Sequence, residues 1–345
     1  MVYLICQDWA NTSNNHAGIK YLCEKLHECN PHKYEIRTIP FFTSARTRSK
    51  VRFVAAIQVK FAQFKHKRFL RSLLVQMQTV LRTGDVVFLT EYMEKFFPMR
   101  HFAEQIQKKF PTIPIWAMVH LVPSKLNASF PSDLEFLSWM KCVNKIYTLG
   151  SSLTDYLIKR GVPFDKIVTT FHYVDDYYKN LNIRYPEKRV KVIVMGNQVR
   201  NVKLLKAIIV ANPNTDFTLC QGSMDLTNIF HDTSNVRLIP FVSEPKLRQY
   251  MIESDISLNV MDDTIGSNVI VTSLAMGLAL ICSDVGSIRD YCDESNTIFC
   301  ENSVDSFCEA IRSLSCNRRL VFDMKCAAHK RADYLTISNF EKTIV

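Results

Sequence analysis

Residues 255–286 read DISLNVMDDTIGSNVIVTSLAMGLALICSDVG. Ile256-Ser-Leu-Asn-Val260 is a short apolar run and predicts a strand, and Met261 to Ser267 predicts a loop. Asn268–Met276 predicts a helix that Gly277 stops. Leu278-Ala-Leu-Ile-Cys282 predicts a second strand, which runs into Ser283-Asp-Val-Gly286. A strand, a helix and a second strand in this order form a βαβ unit, so the two strands are expected to be parallel. Gly266 allows close backbone approach, and Ser267 or Asn268 is placed to cap the helix. The free N–H groups and dipole at that helix start make a ready anion site.

The same alternation extends in both directions. Upstream, strands are expected at Val2–Cys6, Asp85–Thr90, Pro114–Val119, Asn144–Leu149, Val190–Val194, Phe217–Cys220 and Val236–Ile239. Helices are expected at Gly18–Leu26, Met99–Lys109, Ser151–Arg160, Val202–Val210, Glu244–Ser254, Val304–Leu314 and Asp323–Tyr334. Strands separated by helices imply parallel α/β sheets. The pattern pauses at Tyr177–Arg189, a polar stretch with Pro186, which reads as a linker. Two doubly wound, Rossmann-like domains follow, 1–178 and 186–329. Such sheets bind ligands at the carboxyl ends of their strands, so two of them facing a central cleft would suit the joining of two substrates.

Composition agrees. The chain has 345 residues, 47% hydrophobic and 22% charged, as in a globular protein with a real core. The apolar run at Met1–Cys6 is too short for a signal peptide, and no run approaches the ~20 apolar residues of a membrane span. A cytoplasmic location is therefore expected. The 11 cysteines include no Cys-x-x-Cys pair, which disfavours a zinc site or a disulfide framework. Residues 1–180 carry 25 Lys and Arg against 14 Asp and Glu, whereas residues 181–345 carry 18 against 19. The net charge of +10 thus lies wholly in the first half, whose partner is expected to be anionic.

The segment 255–286 resembles the donor-binding segment of GT-B glycosyltransferases, in particular the retaining family four (group 1 type). There a Glu, seven residues, a second Glu, a Gly-x-Pro, a strand and Ser-Asp-Val-Gly follow one another. Gly277 and Ser283-Asp284-Val285-Gly286 fall in register. Ser254-Asp255-Ile256 resembles the family's Ala-Asp-Ile strand entry. Gly196-Asn-Gln-Val-Arg200-Asn-Val-Lys203 stands where the family has a Gly followed by the Arg and Lys that meet the donor diphosphate. Ser151–Leu157, Gly161-Val-Pro163 and His172-Tyr-Val-Asp175 are similar to its approach between the domains. The resemblance covers nearly the whole chain and implies a closing helix, at about 330–345, that crosses back to the first domain.

The departures matter. Counting back from Asp284, the family's glutamates fall on Thr264 and Thr272, which carry no charge; in the family the first touches the donor sugar and the second grips the ribose. The proline position is Ala279. The donor lysine comes one residue late, at Lys203, which leaves Arg200 placed to take its role. By resemblance Asn197, Gly266, Ser267 and Asn268 belong to the donor site, with Gly18 from the glycine-bearing loop after the first strand. His120, at the carboxyl end of a buried strand, corresponds to the histidine that faces the sugar. Glu91 ends its strand in the same way and, with His16 in the loop before Gly18, is a candidate for touching the acceptor. Asp175-Asp176 and Asp262-Asp263 are not Asp-x-Asp pairs, and neither a metal nor a cofactor is expected.

The resemblance implies transfer of a sugar from a UDP- or GDP-linked donor to a hydroxyl of a glycan or lipid-linked acceptor, with retention, in bacterial surface-polysaccharide synthesis. Thr264 and Thr272 keep open an alternative, a non-catalytic GT-B protein that binds a nucleotide or glycan beside another transferase. Nucleic acid is not an expected partner, because no recognised motif accompanies the charge. From Ile36 to Gly84 there is no Asp or Glu but eleven Lys or Arg, including Arg46, Arg48, Lys50, Arg52, Lys60, Lys65, Lys67, Arg68 and Arg71. Phe53, Ile57, Phe61 and Phe64 recur on one helical face among them, the pattern of a basic amphipathic helix lying on an anionic membrane surface. A peripheral position on the inner face of the cell membrane is the expectation.

Overall fold

The computed structural model describes every residue except 10–15, 17, 43–48, 50, 96–97, 188, 223 and 345. The chain divides into two compact units, Met1–Thr170 and Phe171–Val345. Each is a six-stranded sheet between helices.

In the first unit the strands are β1 (Val2–Asp8), β2 (Tyr34–Pro40), β3 (Val86–Leu89), β4 (Ile115–Val119), β5 (Lys145–Thr148) and β6 (Ile167–Thr169), all parallel, in the order β2-β1-β3-β4-β5-β6. Helices cover both faces, so the inner strands read as unbroken apolar runs rather than alternating ones; Val2 through Gln7 are all buried. Val2 lies opposite both Tyr34 and Val86, which puts β1 inside the sheet.

The second unit repeats this plan with β7 (Lys191–Val194), β8 (Asp216–Cys220), β9 (Val236–Ile239), β10 (Ile256–Asn259), β11 (Ala279–Ser283) and β12 (Thr297–Cys300), again parallel, in the order β12-β11-β10-β7-β8-β9. Successive residues point to opposite faces: Ile193 and Leu280 join one apolar cluster, Val192 and Ile281 the other. The base of the sheet holds an internal ion pair. Asp255, fully buried, accepts from Lys325 Nζ at 3.0 Å and from the Lys191 amide at 3.1 Å, and pairs with Arg184 Nη2 at 3.1 Å. This ties the helix Arg318–Ala332 to the start of β10.

In each unit the winding reverses once, between β1 and β3 and between β7 and β10. Those are the two points where an open α/β sheet leaves a crevice at its carboxyl edge.

The units divide eight residues before the expected boundary at 178. The Val174 amide donates to Leu335 O at 2.6 Å, and Phe171 packs on the rings of Tyr334 and Phe340. These contacts gather 171–178 and the tail 330–345 into the second unit. The reading from sequence also passed over β2, β6 and β12, three of the four edge strands.

Candidate functional site

The two loops at the reversal of the second sheet are fastened to each other. Arg200 and Met261 form an antiparallel bridge, the Asn201 amide donates to Val260 O at 3.0 Å, and the Asp262 amide donates to Val199 O at 3.0 Å. Asn201 caps the helix Val202–Ala211 by accepting from the Leu204 amide at 2.9 Å, and its own amide donates to Asp262 Oδ1 at 2.7 Å. On the far side a closed ring holds the loop start: the Met261 amide donates to Ser283 Oγ, Ser283 Oγ donates to Asn302 Oδ1, and Asn302 Nδ2 donates to Met261 O, all within 2.9 Å.

Arg200 sits at this junction with its charge incompletely answered. Its Nη2 donates to Cys220 O at 3.2 Å, while Nη1 is buried with no hydrogen-bond partner. Burial pulls the guanidinium down to about 10, from 12.5. Lys203, in the first turn of the helix Val202–Ala211, is exposed. Asn197 packs against Gly222, where a Cβ would overlap its amide.

Gly266 has φ of +96°, and a Cβ there would overlap the Tyr291 hydroxyl and ring. Tyr291 is fully buried; its hydroxyl accepts from the His172 amide at 2.7 Å and donates to Ile265 O at 3.4 Å. Only glycine fits there, for both torsional and steric reasons. Ser267 then caps the helix Asn268–Ala275 by accepting from the Ile270 amide at 3.2 Å. His172 is buried beside Asn268, and burial lowers its imidazole to about 4, so it is neutral at pH 7. The buried Thr264 hydroxyl accepts from the Gly266 amide at 3.2 Å, and its carbonyl accepts from the Ser287 amide at 2.8 Å. Gly286, at φ of +55°, passes directly over that residue. Thr272 is buried too, but its hydroxyl donates to Asn268 O, one turn back in its own helix.

Arg200, Asn197, Thr264, Gly266, Ser267 and Asn268 thus gather around one reversal point, with Lys203 on the surface beside them. A half-buried arginine, glycine-framed turns and a helix N-terminus are groups whose chemistry suits an anion. Tyr291 and His172, which hold the Gly266 turn, were not predicted as its support. A tyrosine five residues after a Ser-Asp-Val-Gly turn carries no signal in a single sequence.

In the first unit the reversal point is occupied by Glu91. It lies two residues past the end of β3 and is buried; its carboxylate accepts from the Gln7 amide at 2.6 Å and from Trp9 Nε1. Burial pushes the carboxyl up to about 7 against the opposing pull of those two donors. His120, half-buried, follows β4. His16 packs on the Tyr21 ring at 4.7 Å. Gly18 starts the helix Ile19–Cys29 at φ of −84°, a conformation open to any residue.

The helix Arg52–Val80 has apolar residues on two opposite faces. Ala62, His66, Leu70, Leu73 and Met77 are buried. On the other side Phe53 is 74% exposed, Ile57 51%, Phe61 58% and Phe64 59%, so these side chains are not core. Arg52, Lys60, Lys65, Lys67, Arg68 and Arg71 are all exposed around them. Arg46, Arg48 and Lys50 lie outside the described residues. Among the described residues no helix is long and apolar enough to cross a membrane, and no group of three or more His, Cys, Asp or Glu is placed to hold a metal ion.

Residues 184–317 match the family described as glycosyl transferases group 1. No curated protein sequence matches the chain. Solved structures do. Sucrose-phosphate synthase from Thermosynechococcus elongatus superposes with a TM-score of 0.74 at 11% identity, over 99% of this chain and 96% of that one. The lipopolysaccharide outer core galactosyltransferase WaaB gives 0.66 at 12% identity, over 100% and 99%. HepE of Anabaena, in complex with UDP, gives 0.67 at 11%, over 100% and 98%. At these identities the likeness establishes the fold, two Rossmann-like units of the GT-B type, and the group 1 match falls within the second.

Proposed function

We propose that this protein is a glycosyltransferase that takes a nucleotide-diphosphate sugar in its second unit and transfers the sugar, with retention, to a hydroxyl of a glycan or lipid-linked acceptor. The observation that carries the reading is the β7/β10 reversal point, where the incompletely bonded Arg200 and the Gly266–Asn268 helix start are fastened within one loop pair. A donor diphosphate placed there gains charge-assisted bonds from Arg200 and Lys203 and the positive end of a helix. The charge that develops on the leaving diphosphate is stabilised by groups already in position, with no metal required. His120 and Glu91, at carboxyl ends of the first sheet, are the acceptor-side candidates. The group 1 match and the UDP-bound structural neighbour support the donor class, and WaaB supports a place in surface-polysaccharide synthesis. A turnover screen of UDP- and GDP-sugars tests the activity: release of nucleoside diphosphate from one of them supports it. Nucleotide binding without any release would instead favour a non-catalytic binding partner, the reading to which the self-satisfied Thr272 hydroxyl points.

The exposed aromatic and basic face of the helix Arg52–Val80 supports attachment to an anionic membrane surface, a peripheral position at the inner face of the cell membrane. Each basic residue near such a surface contributes about 1 kcal/mol, so several suffice for reversible attachment. In liposome flotation, binding should require anionic lipid and fall with salt. Equal recovery on neutral and anionic vesicles would remove this part of the account.

A further inference from the structure

A cavity of about 470 Å³ lies within the first unit, between the helices Arg52–Val80, Met99–Lys109 and Asp133–Met140. Small-molecule sites typically span about 300–1,000 Å³. None of its lining residues is among those assigned above to the acceptor or the donor. Its apolar wall is Leu70, Leu74, Phe102 and Trp139, all largely withdrawn from water. Its rim is cationic: Lys67, Arg71, Lys95 and Arg100 against the single carboxylate of Glu104.

Two of those cations are already engaged. Lys95 pairs with Glu135 at 2.6 Å and Arg100 with Glu104 at 2.9 Å. Lys67 and Arg71 have no ion-pair partner among the described residues, and their own stretch from Ile36 to Gly84 contains no acid. They stand four residues apart on one helix, where like charges are mutually destabilising. An apolar slot with two unanswered cations at its mouth is complementary to a ligand with a chain and an anionic head.

We propose that this cavity binds a single-chain alkyl or isoprenyl phosphate, its chain against Leu70, Leu74, Phe102 and Trp139 and its phosphate on Lys67 and Arg71. As an alkyl-phosphate site it stands on the cavity alone. As the seat of a lipid-linked acceptor's phosphate it rests on the glycosyltransferase reading.

Calorimetry of the full chain with dodecyl phosphate below its micellar concentration tests the site. Saturable binding to one site is expected, about tenfold or more weakened in Lys67→Glu/Arg71→Glu through loss of two charge-assisted contacts. The charge-matched control Lys108→Glu/Lys109→Glu, on exposed residues outside the cavity, should bind like wild type. Dodecyl maltoside and inorganic phosphate, each with half of the ligand's chemistry, should bind much more weakly. Tight binding of the maltoside, or equal affinity in the Lys67/Arg71 variant and wild type, would overturn the proposal. Preference for dihexanoylphosphatidylglycerol over dodecyl phosphate would overturn the single-chain assignment. UDP binding is measured on the same sample: its absence would sink the glycosyltransferase reading and leave the alkyl-phosphate site standing.

Discussion

Arg200→Met should leave the stability of the free protein unchanged or slightly raised while weakening nucleotide binding. In the free protein the arginine carries a charge that the fold does not fully solvate, since Nη1 is buried without a partner and the group's ionisation falls from 12.5 to about 10. Taken at 1.36 kcal/mol per unit, that fall corresponds to about 3 kcal/mol against the charged form. Arg200 is partly exposed, so solvent screening reduces this to about 1–2 kcal/mol. Methionine keeps the apolar stem contacts and loses only the bond to Cys220 O, about 1 kcal/mol. The balance runs from neutral to about 1 kcal/mol stabilising, up to about 2–4 °C in Tm for a unit of this size. Nucleotide binding moves the other way: each lost charge-assisted bond weakens it by about 1.5–3 kcal/mol, or roughly 10- to 150-fold. Thermal scans of both proteins, with and without UDP or GDP, read both quantities at once. A variant that melts well below wild type yet keeps its ligand-induced Tm shift would show that Arg200 is structural and the diphosphate lies elsewhere.

Gly266→Ala should destabilise the second unit by about 2–3 kcal/mol, from the left-handed backbone and the displaced Tyr291 hydroxyl, and should lower nucleotide affinity with it; urea unfolding at wild-type Cm would contradict this. Asp255→Ala strands the buried Lys325 and is expected to lower stability by about 3–5 kcal/mol, whereas Lys325→Met, which leaves Asp255 its Arg184 partner and the Lys191 amide, should cost less; the reverse order in chemical denaturation would refute the pairing scheme. The Glu91 carboxyl is raised from 4.5 to about 7 in the folded state, so the native protein holds an extra proton between those values and its contribution is present below pH 4.5 and lost as pH rises through 7. The stability of wild type relative to Glu91→Gln should therefore fall from pH 5 to pH 8, and a flat or rising difference would contradict the buried placement.

The sequence revealed the inner strands because parallel strands covered on both faces are largely apolar, as in Val192–Val194 and Leu278–Cys282. The edge strands escaped notice for the complementary reason. Tyr34–Pro40 alternates with Glu35, Arg37 and Thr38, and Ile167–Thr169 is three residues long. The turn and helix start at Gly266–Asn268 were legible because Gly266 and Ser267 bring their own backbone chemistry. The supports of those loops were not, since Tyr291 and His172 reach the turn only through the folded chain. The face Phe53–Phe64 was legible as a periodicity; its exposure could be learned only once the opposite face, Ala62 to Met77, was seen to fill the core. Thr272 stands where the family has the glutamate that grips the ribose, and its hydroxyl is bonded to the carbonyl four residues back, as a threonine within a helix can be.

Isothermal titration of the full chain with UDP and with GDP, each repeated in excess EDTA, bears most directly on the donor site. The account predicts binding of at least one of them, undiminished by the chelator and abolished or strongly weakened in Arg200→Met. No heat with either nucleotide, or binding that disappears with EDTA, would contradict a metal-independent diphosphate cradle at the β7/β10 reversal.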